Sequence, residues 1–199
     1  MPPFPKPRFP FEYAVSDEVG ALRRHKKVRA IPSKAAGRLL LATWNIANFG
    51  AHERRTDDHR LLAEILGWFD IVAIQEARDN FAGLEDVRRL LGPTYKLLLS
   101  DIAGNNERMA FLFNARTVTL LEKVGEVSIP PSQLQHVKLP GVTQRFAGFD
   151  RNPYLAAFQV GNQNSVLLTD VQSRGKKDYD AYVRYYISDH RPLWMELAV

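Results

Sequence analysis

One strand–helix–strand pattern constrains the fold of this 199-residue chain more than any other feature. Residues 39–45 (LLLATWN) and 70–76 (DIVAIQE) have the apolar run of a buried strand, and residues 57–69 place their apolar side chains on one helical face. A strand, a crossover helix and a strand in that order predict two parallel strands in one sheet. We therefore expect their carboxyl ends, at Asn45 and Glu76, to lie at the same edge of that sheet.

The rest of the chain continues with one further helix and a series of short strands. The helix is expected near residues 84–91, and the strands at residues 95–100, 108–114, 117–125, 154–160, 165–171, 182–187 and 192–198. Residues 128–152 are expected to form a loop, because Pro130-Pro131 and Pro140-Gly141 interrupt them. This order of elements predicts an α/β protein.

Composition excludes several kinds of site. The chain has no cysteine, which excludes disulfides, thiolate zinc sites, iron–sulfur clusters and a cysteine nucleophile. Its longest apolar runs are far shorter than the ~18 residues of a membrane span, and no secretory hydrophobic region follows the N-terminus. We therefore expect a cytoplasmic protein without a transmembrane segment, and we expect a monomer.

Positive charge is concentrated near the N-terminus. The formal net charge is +5, and residues 1–38 carry nine Lys or Arg against three Asp or Glu. Five of the twelve prolines lie in residues 1–10, which favours extended backbone. A short helix is expected to follow, with Ser16 as its N-cap.

These features predict a Pro-rich, basic N-terminal extension over residues 1–37, followed by a single domain over residues 38–199. The extension has two interpretations, a solvated helix and arm or a basic arm that binds phosphates. If the arm binds nucleic acid, the affinity is expected to be sensitive to salt and to fall when residues 1–37 are deleted.

Three segments place polar side chains where a strand meets a loop, the position at which rigid scaffolds often present functional groups. They are TWNIANFG (43–50), IQEARD (74–79) and SDHRPL (188–193). Glu76 ends an apolar strand, so its carboxylate is expected to be solvated, paired or bound to a cation. Asp189 and His190 place a carboxylate beside an imidazole, two groups that activate water near neutral pH.

Each of these residues also has a structural interpretation. Glu76 is then a strand-end acid in a surface salt bridge, and Asn45 is a turn-forming amide. Asp189 and His190 are adjacent, so on an extended chain their side chains point to opposite sides. On the residues alone these alternatives stay open.

Taken in order, the three segments resemble the signature segments of the DNase I-like endonuclease/exonuclease/phosphatase superfamily. Two weaker matches lie between them, NERMAFLFN (106–114) and FDRNPYLAAFQV (149–160). The resemblance covers about residues 39–197. It implies an α/β fold with a two-sheet sandwich flanked by helices, and hydrolysis of phosphate esters with Mg²⁺ or Mn²⁺.

The resemblance implies a role for each of five residues. Glu76 and Asp189 are expected to bind the metal ion, and Asn45 to contact the metal or the scissile phosphate. His190 is expected to help activate water or to stabilise the transition state, and Arg151 to be structural or to face the phosphate. The implied substrate is a nucleic acid or another phosphate ester, such as a phospholipid or an inositol phosphate.

The chain departs from the family pattern in its central part. Family members carry an Asn-x-His segment and a Gly-Asp-x-Asn segment, whereas this chain has no Gly-Asp dipeptide and has Gln172 where the histidine is expected. The fifteen residues 173–187 that precede Ser188 are too few for the missing elements. We therefore predict an internal deletion near residues 171–176 and an incomplete fold that lacks central strands.

This departure affects the expected function. Glu107 matches the glutamate that orients the absent histidine, so we expect it to lack that histidine as its partner. The other histidines, His25, His52, His59 and His136, are expected at the surface or in loops. The sequence thus predicts a metal-dependent, nuclease-like phosphoesterase with an incomplete active site and weak or absent activity. The alternative is a catalytically inactive relative that binds nucleic acid or a protein, or a nonfunctional fragment.

Overall fold

The computed structural model of the chain describes residues 5–6, 8–9, 11–104, 106–137, 146–149, 151–161, 164–170 and 193–198. For residues 164–170 and residue 193 the description is limited to the backbone. The helices are α1 (Val15–Val28), α2 (Thr56–Leu66), α3 (Ala82–Leu91) and a short 3-10 helix (Pro131–His136). The strands are β1 (Arg38–Phe49), β2 (Ile71–Arg78), β3 (Tyr95–Leu99), β4 (Glu107–Asn114), β5 (Val118–Glu126), β6 (Tyr154–Val160), β7 (Asn164–Asp170) and β8 (Leu193–Ala198).

The described strands form two sheets. The larger has the order β3-β4-β2-β1-β8, and the smaller has the order β5-β6-β7. Strands β1 and β2 are parallel, with Leu41 opposite Ile71 and Asn45 opposite Gln75. The other described pairs are antiparallel. The parallel strand pair expected from the sequence is therefore confirmed.

Strand β1 is buried on both faces and separates two hydrophobic cores. Leu40 and Trp44 belong to the core shared with α2 and α3, whereas Leu39 and Leu41 belong to the core shared with the smaller sheet. This division follows from the strand geometry, because successive side chains point to opposite faces. The continuous apolar run of β1 is thus explained by two covered faces.

Aromatic side chains join the two sheets. The ring of Phe111 on β4 lies 5.4 Å from that of Tyr154 and 5.9 Å from that of Phe158, both on β6. Helices α2 and α3 cover the opposite face of the larger sheet. The expected α/β fold, a two-sheet sandwich flanked by helices, is confirmed.

Two parts of the sequence prediction fall outside this description. The expected strand at residues 182–187 and the deletion junction near residues 171–176 lie outside the described residues. The absence of central strands therefore stays a prediction. None of the helices in the described part of the chain has the length and apolar character that a membrane crossing requires.

The N-terminal helix packs on the body of the protein. Arg23 of α1 pairs with Glu64 of α2 at 3.0 Å, and the ammonium of Lys26 lies 5.7 Å from the ring centre of Trp68. Leu22 packs against the core beneath. Basic side chains of the extension thus contact the domain. The domain boundary between residues 37 and 38 stays a prediction.

Helix α1 begins earlier than the sequence indicates. The backbone N–H groups of Asp17 and Glu18 both donate to the carbonyl of Ala14, which makes Ala14 the N-cap. The prediction that Ser16 is the N-cap is wrong, because Ser16 already lies in the first turn of the helix.

Two histidines are more buried than expected. His59 lies in α2 with 9% of its surface exposed, so its predicted surface or loop position is wrong. Its ring contacts that of Phe49 edge-on, with centres 6.1 Å apart. His52 lies in the turn after β1, as predicted, but is only 5% exposed.

Candidate active site at the ends of β1 and β2

The parallel strands β1 and β2 are irregular where their polar residues lie. Asn45 is opposite Gln75 and Phe49 is opposite Ala77, so residues 46–48 lie opposite Glu76 alone. Asn48 and Glu76 have φ angles of 45° and 61°, in the left-handed region that residues other than glycine rarely adopt. Such a bulge re-aims side chains, and here it turns the Glu76 carboxylate toward β1.

The Glu76 carboxylate accepts hydrogen bonds from both asparagines of β1. Asn45 Nδ2 donates to Oε1 at 2.9 Å, while the backbone N–H and Nδ2 of Asn48 donate to Oε2 at 3.1 and 3.4 Å. Asn45 is 7% exposed and Asn48 is 4% exposed. The prediction that Asn45 and Glu76 lie at one edge of the sheet is therefore confirmed at the level of a direct contact.

A second layer of contacts extends from Asn48. Its Oδ1 accepts hydrogen bonds from Arg78 Nε at 3.1 Å and from Arg78 Nη2. Arg78 Nη2 also lies 3.5 Å from a carboxylate oxygen of Glu107 on β4, and Arg151 pairs with the other oxygen of Glu107. A continuous chain of polar contacts thus runs from Arg151, beside the smaller sheet, to Glu76 in the larger sheet.

Glu107 has two partners, both arginines, other than the histidine that the family pattern gives it. Its side chain is 6% exposed and lies between the guanidinium groups of Arg78 and Arg151. The register of β2 and β4 places Arg78 directly opposite Glu107, which explains the first of these pairs. A carboxylate this deeply buried requires cationic partners, and two arginines supply them here.

The five predicted site residues differ in how far the structure describes them. Asn45 and Glu76 are in contact, and Arg151 is connected to them through Glu107, Arg78 and Asn48. The side chain of Arg151 is 11% exposed. Asp189 and His190 lie outside the described residues, so their place in the site stays a prediction.

The sequence motifs contained two residues whose contribution was missed. Asn48 lies three positions after Asn45 in TWNIANFG, and Arg78 lies two positions after Glu76 in IQEARD. In regular strands these spacings place Asn48 on the face opposite Asn45, and Arg78 on the same face as Glu76. The bulge changes the first relationship, since Asn45 and Asn48 both donate to Glu76, and strand periodicity does not reveal it.

Gly50, the last residue of TWNIANFG, permits a close approach between two loops. Its φ is 105°, and a Cβ at this position would lie 2.0 Å from the carbonyl oxygen of Asn80. Only glycine fits without movement of the backbone. The absence of a side chain at Gly50 therefore lets the end of β1 and the loop after β2 contact each other next to Glu76.

The donor set at this edge has the chemistry that Mg²⁺ prefers, namely carboxylate and amide oxygens. Because Asn45 Nδ2 donates to Glu76, the Asn45 oxygen is oriented away from that hydrogen bond. Within the described ranges, no group of three or more His, Cys, Asp or Glu could hold a metal ion. The fit therefore rests on Glu76 and Asn45, with water completing the shell, as is common for Mg²⁺.

The two sheets, the flanking helices and this edge cluster define an α/β sandwich protein with a polar site at the ends of two parallel strands. No family model matches the chain. It is similar to a curated protein named "Deoxyribonuclease" from Thioalkalivibrio sp. (strain K90mix), with 36% identity over 95 residues. The match covers 44% of this chain and 26% of that protein. The name of this relative agrees with the resemblance to the endonuclease/exonuclease/phosphatase superfamily.

Solved structures give more distant similarities. The human Nocturnin catalytic domain is 16% identical with a TM-score of 0.44, covering 78% of this chain and 56% of that chain. An endonuclease/exonuclease/phosphatase family protein from Bacteroides thetaiotaomicron is 17% identical with a TM-score of 0.45, covering 66% and 48%. A humanized D. rerio TDP2 is 17% identical with a TM-score of 0.44, covering 70% and 49%. The chain thus spans about a quarter of the curated relative and about half of these structures.

Proposed function

We propose that this protein is a metal-dependent phosphoester hydrolase, nuclease-like in its substrate, with Mg²⁺ as cofactor and Mn²⁺ as a substitute. The observation that carries the proposal is the Glu76 carboxylate, turned out of β2 by a bulge and held by Asn45 and Asn48. The name of the curated relative, a deoxyribonuclease, supports a nucleic acid as the substrate.

In this proposal Glu76 and Asn45 hold the metal ion, together with Asp189. A bound Mg²⁺ supplies charge neutralisation at the phosphoryl group and lowers the pKa of a bound water. His190 accepts a proton from the attacking water, because an imidazole exchanges protons near neutral pH. Arg151, fixed by Glu107, orients the phosphate from the side of the smaller sheet.

The catalytic set is incomplete in this proposal. Gln172 occupies the position of the second histidine, and an amide cannot act as a general acid or base. Members of a cooperative catalytic set contribute non-additively, so the loss of one lowers the rate by orders of magnitude. We therefore expect slow turnover. The same observation favours a second candidate, a catalytically inactive protein that binds nucleic acid.

The test is hydrolysis of plasmid DNA, bis-p-nitrophenyl phosphate and an inositol phosphate, with Mg²⁺, with Mn²⁺ and with EDTA. We expect cleavage of the first two that requires the metal and that falls on the order of 100-fold in Glu76→Gln. Glu122→Gln, an exposed position on β5, is the matched control and should keep wild-type activity. Equal rates in the two variants would overturn the role of Glu76.

The same assay separates the two candidates. Metal-dependent turnover by the purified wild type excludes the inactive binding protein. No turnover, combined with salt-sensitive binding of DNA, supports it instead. The cytoplasmic location and the monomeric state expected from the sequence stay predictions.

A further inference from the structure

The backbone of Glu76 needs support from its surroundings. A left-handed φ at a residue with a long side chain is strained and persists only where neighbouring contacts hold it. Here the contacts come from β1, through the N–H and the amide of Asn48, which also has a positive φ. The geometry of Glu76 therefore depends on how Asn48 is held.

Arg78 determines which way the Asn48 amide points. An asparagine amide has an oxygen that accepts and a nitrogen that donates, and the two ends can exchange by rotation. A guanidinium only donates, so the two N–H groups of Arg78 that face Asn48 require its oxygen on their side. The Asn48 nitrogen must then face the Glu76 carboxylate, which needs a donor.

Arg78 is itself held from the next strand. Its Nη2 lies 3.5 Å from Glu107, whose side chain is 6% exposed, and Arg78 is 22% exposed. The same Nη2 donates to Asn48, and the fork of an arginine is planar and rigid, so the pairing with Glu107 also restricts the direction of the N–H groups that reach Asn48. The anchor at Glu107 thus sets the hydrogen bonds at Asn48.

We propose that Arg78 is a positioning residue that acts through Asn48 to preorganise the Glu76 carboxylate. The proposal rests on the proposed function, in which Glu76 is a metal ligand. It adds that two residues that do not bind the metal, Arg78 and Asn48, set the affinity of the site for the metal. The hydrogen-bonded partners of a ligand commonly change metal affinity about 10–100-fold.

The first test measures Mn²⁺ affinity by electron paramagnetic resonance in the wild type, Arg78→Lys and Arg108→Lys. Lysine keeps the charge but loses the fork, so Arg78→Lys should weaken binding about 10-fold. Arg108 is the matched control, because it is 19% exposed and contacts Asp79 and the Ser100 carbonyl. Equal affinities in the two variants would overturn the proposal.

Two further variants separate positioning from general damage to the fold. Asn48→Gly tolerates a positive φ and adds no charge, but it removes the side-chain donor to Glu76 and should weaken Mn²⁺ binding even if Arg78→Lys does not fold. In the double variant Asn48→Ala with Arg78→Lys, the loss should be no larger than in Asn48→Ala alone. Additive losses would mean that Arg78 acts independently of Asn48.

The second test needs no metal. Hydrogen exchange of the Asn48 backbone N–H, followed by nuclear magnetic resonance, reports its bond to Glu76 directly. We expect the Asn48 N–H to exchange about 10-fold faster in Arg78→Lys than in Arg108→Lys, because its bond to Glu76 is then less well held. If the wild type binds no Mn²⁺, the proposed function fails, and unchanged exchange would separately overturn the positioning role.

Discussion

The ammonium of Lys34 lies 3.8 Å from a carboxylate oxygen of Asp70, a residue that is 1% exposed. Lys34 also donates a hydrogen bond of 2.5 Å to the hydroxyl of Tyr95. Burial lowers the pKa of Lys34 and raises the pKa of Tyr95 to about 12. These contacts join the segment before β1 to the starts of β2 and β3, at the edge of the sheet opposite Glu76.

Lys34→Met is expected to destabilise the protein by about 2 kcal/mol, because it removes the cation that faces a buried carboxylate. Chemical denaturation measures this difference. Lys96→Met, at an exposed position on β3, is the matched control and should change stability by less than about 0.5 kcal/mol. A Lys34→Met variant as stable as the control would show that Asp70 does not need this partner.

Ile31→Ala is expected to cost roughly 2 to 4 kcal/mol, because Ile31 is 8% exposed and belongs to the core formed with the helices. Val28→Ala, at a position 80% exposed, should be nearly neutral.

Because Ile31 belongs to the core, deletion of residues 1–37 removes part of that core. Deletion of residues 1–10, with thermal unfolding as a check, is the sharper test of DNA binding by the arm, and unchanged affinity would exclude that role.

The pH dependence of stability should report His59. Burial lowers the pKa of His59, opposed by Asp86 and Asp58 and reinforced by Arg54. The unfolded chain therefore takes up the proton first, at about pH 6.5, and stability falls as the pH decreases below that value. This protonation makes the free energy of unfolding decrease by up to about 1.4 kcal/mol per pH unit, and His59→Gln should remove that dependence.

Urea denaturation between pH 7 and about pH 5 measures that slope. His25→Gln is the control, because His25 is exposed on α1, and it should keep the wild-type profile. Identical profiles for His59→Gln and the wild type would contradict the assignment to His59.

Gly50→Ala is expected to destabilise the protein by at least about 2 kcal/mol, because it combines a positive φ with a backbone clash at Asn80. The affinity of the site for Mn²⁺ should fall as well, since the two loops beside Glu76 must move apart. Gly125→Ala, where a Cβ meets no atom within 4 Å, should leave both properties unchanged. Unaltered melting temperature and Mn²⁺ affinity in Gly50→Ala would refute this account.

Much of the fold follows from local pattern. The strand and helix periodicities around β1, α2 and β2 predict a parallel pair, and parallel strands end at one sheet edge, which brings Asn45 to Glu76. The surroundings of Glu107 could not be predicted from local pattern. The sequence motif indicated only that the histidine partner is absent, whereas the pairing of β2 with β4 places Arg78 opposite Glu107.

Three features can be read from the sequence alone: the order of the described elements, the sheet edge that carries Asn45 and Glu76, and the resemblance to the DNase I-like superfamily. Each of these depends on residues that are close in the chain or on a topological rule. Three others become visible only in the folded chain: the bulge at Glu76, the contacts of Asn48 with Arg78, and the burial of His59. These features depend on strand register and on partners distant in the chain, which side-chain periodicity does not encode.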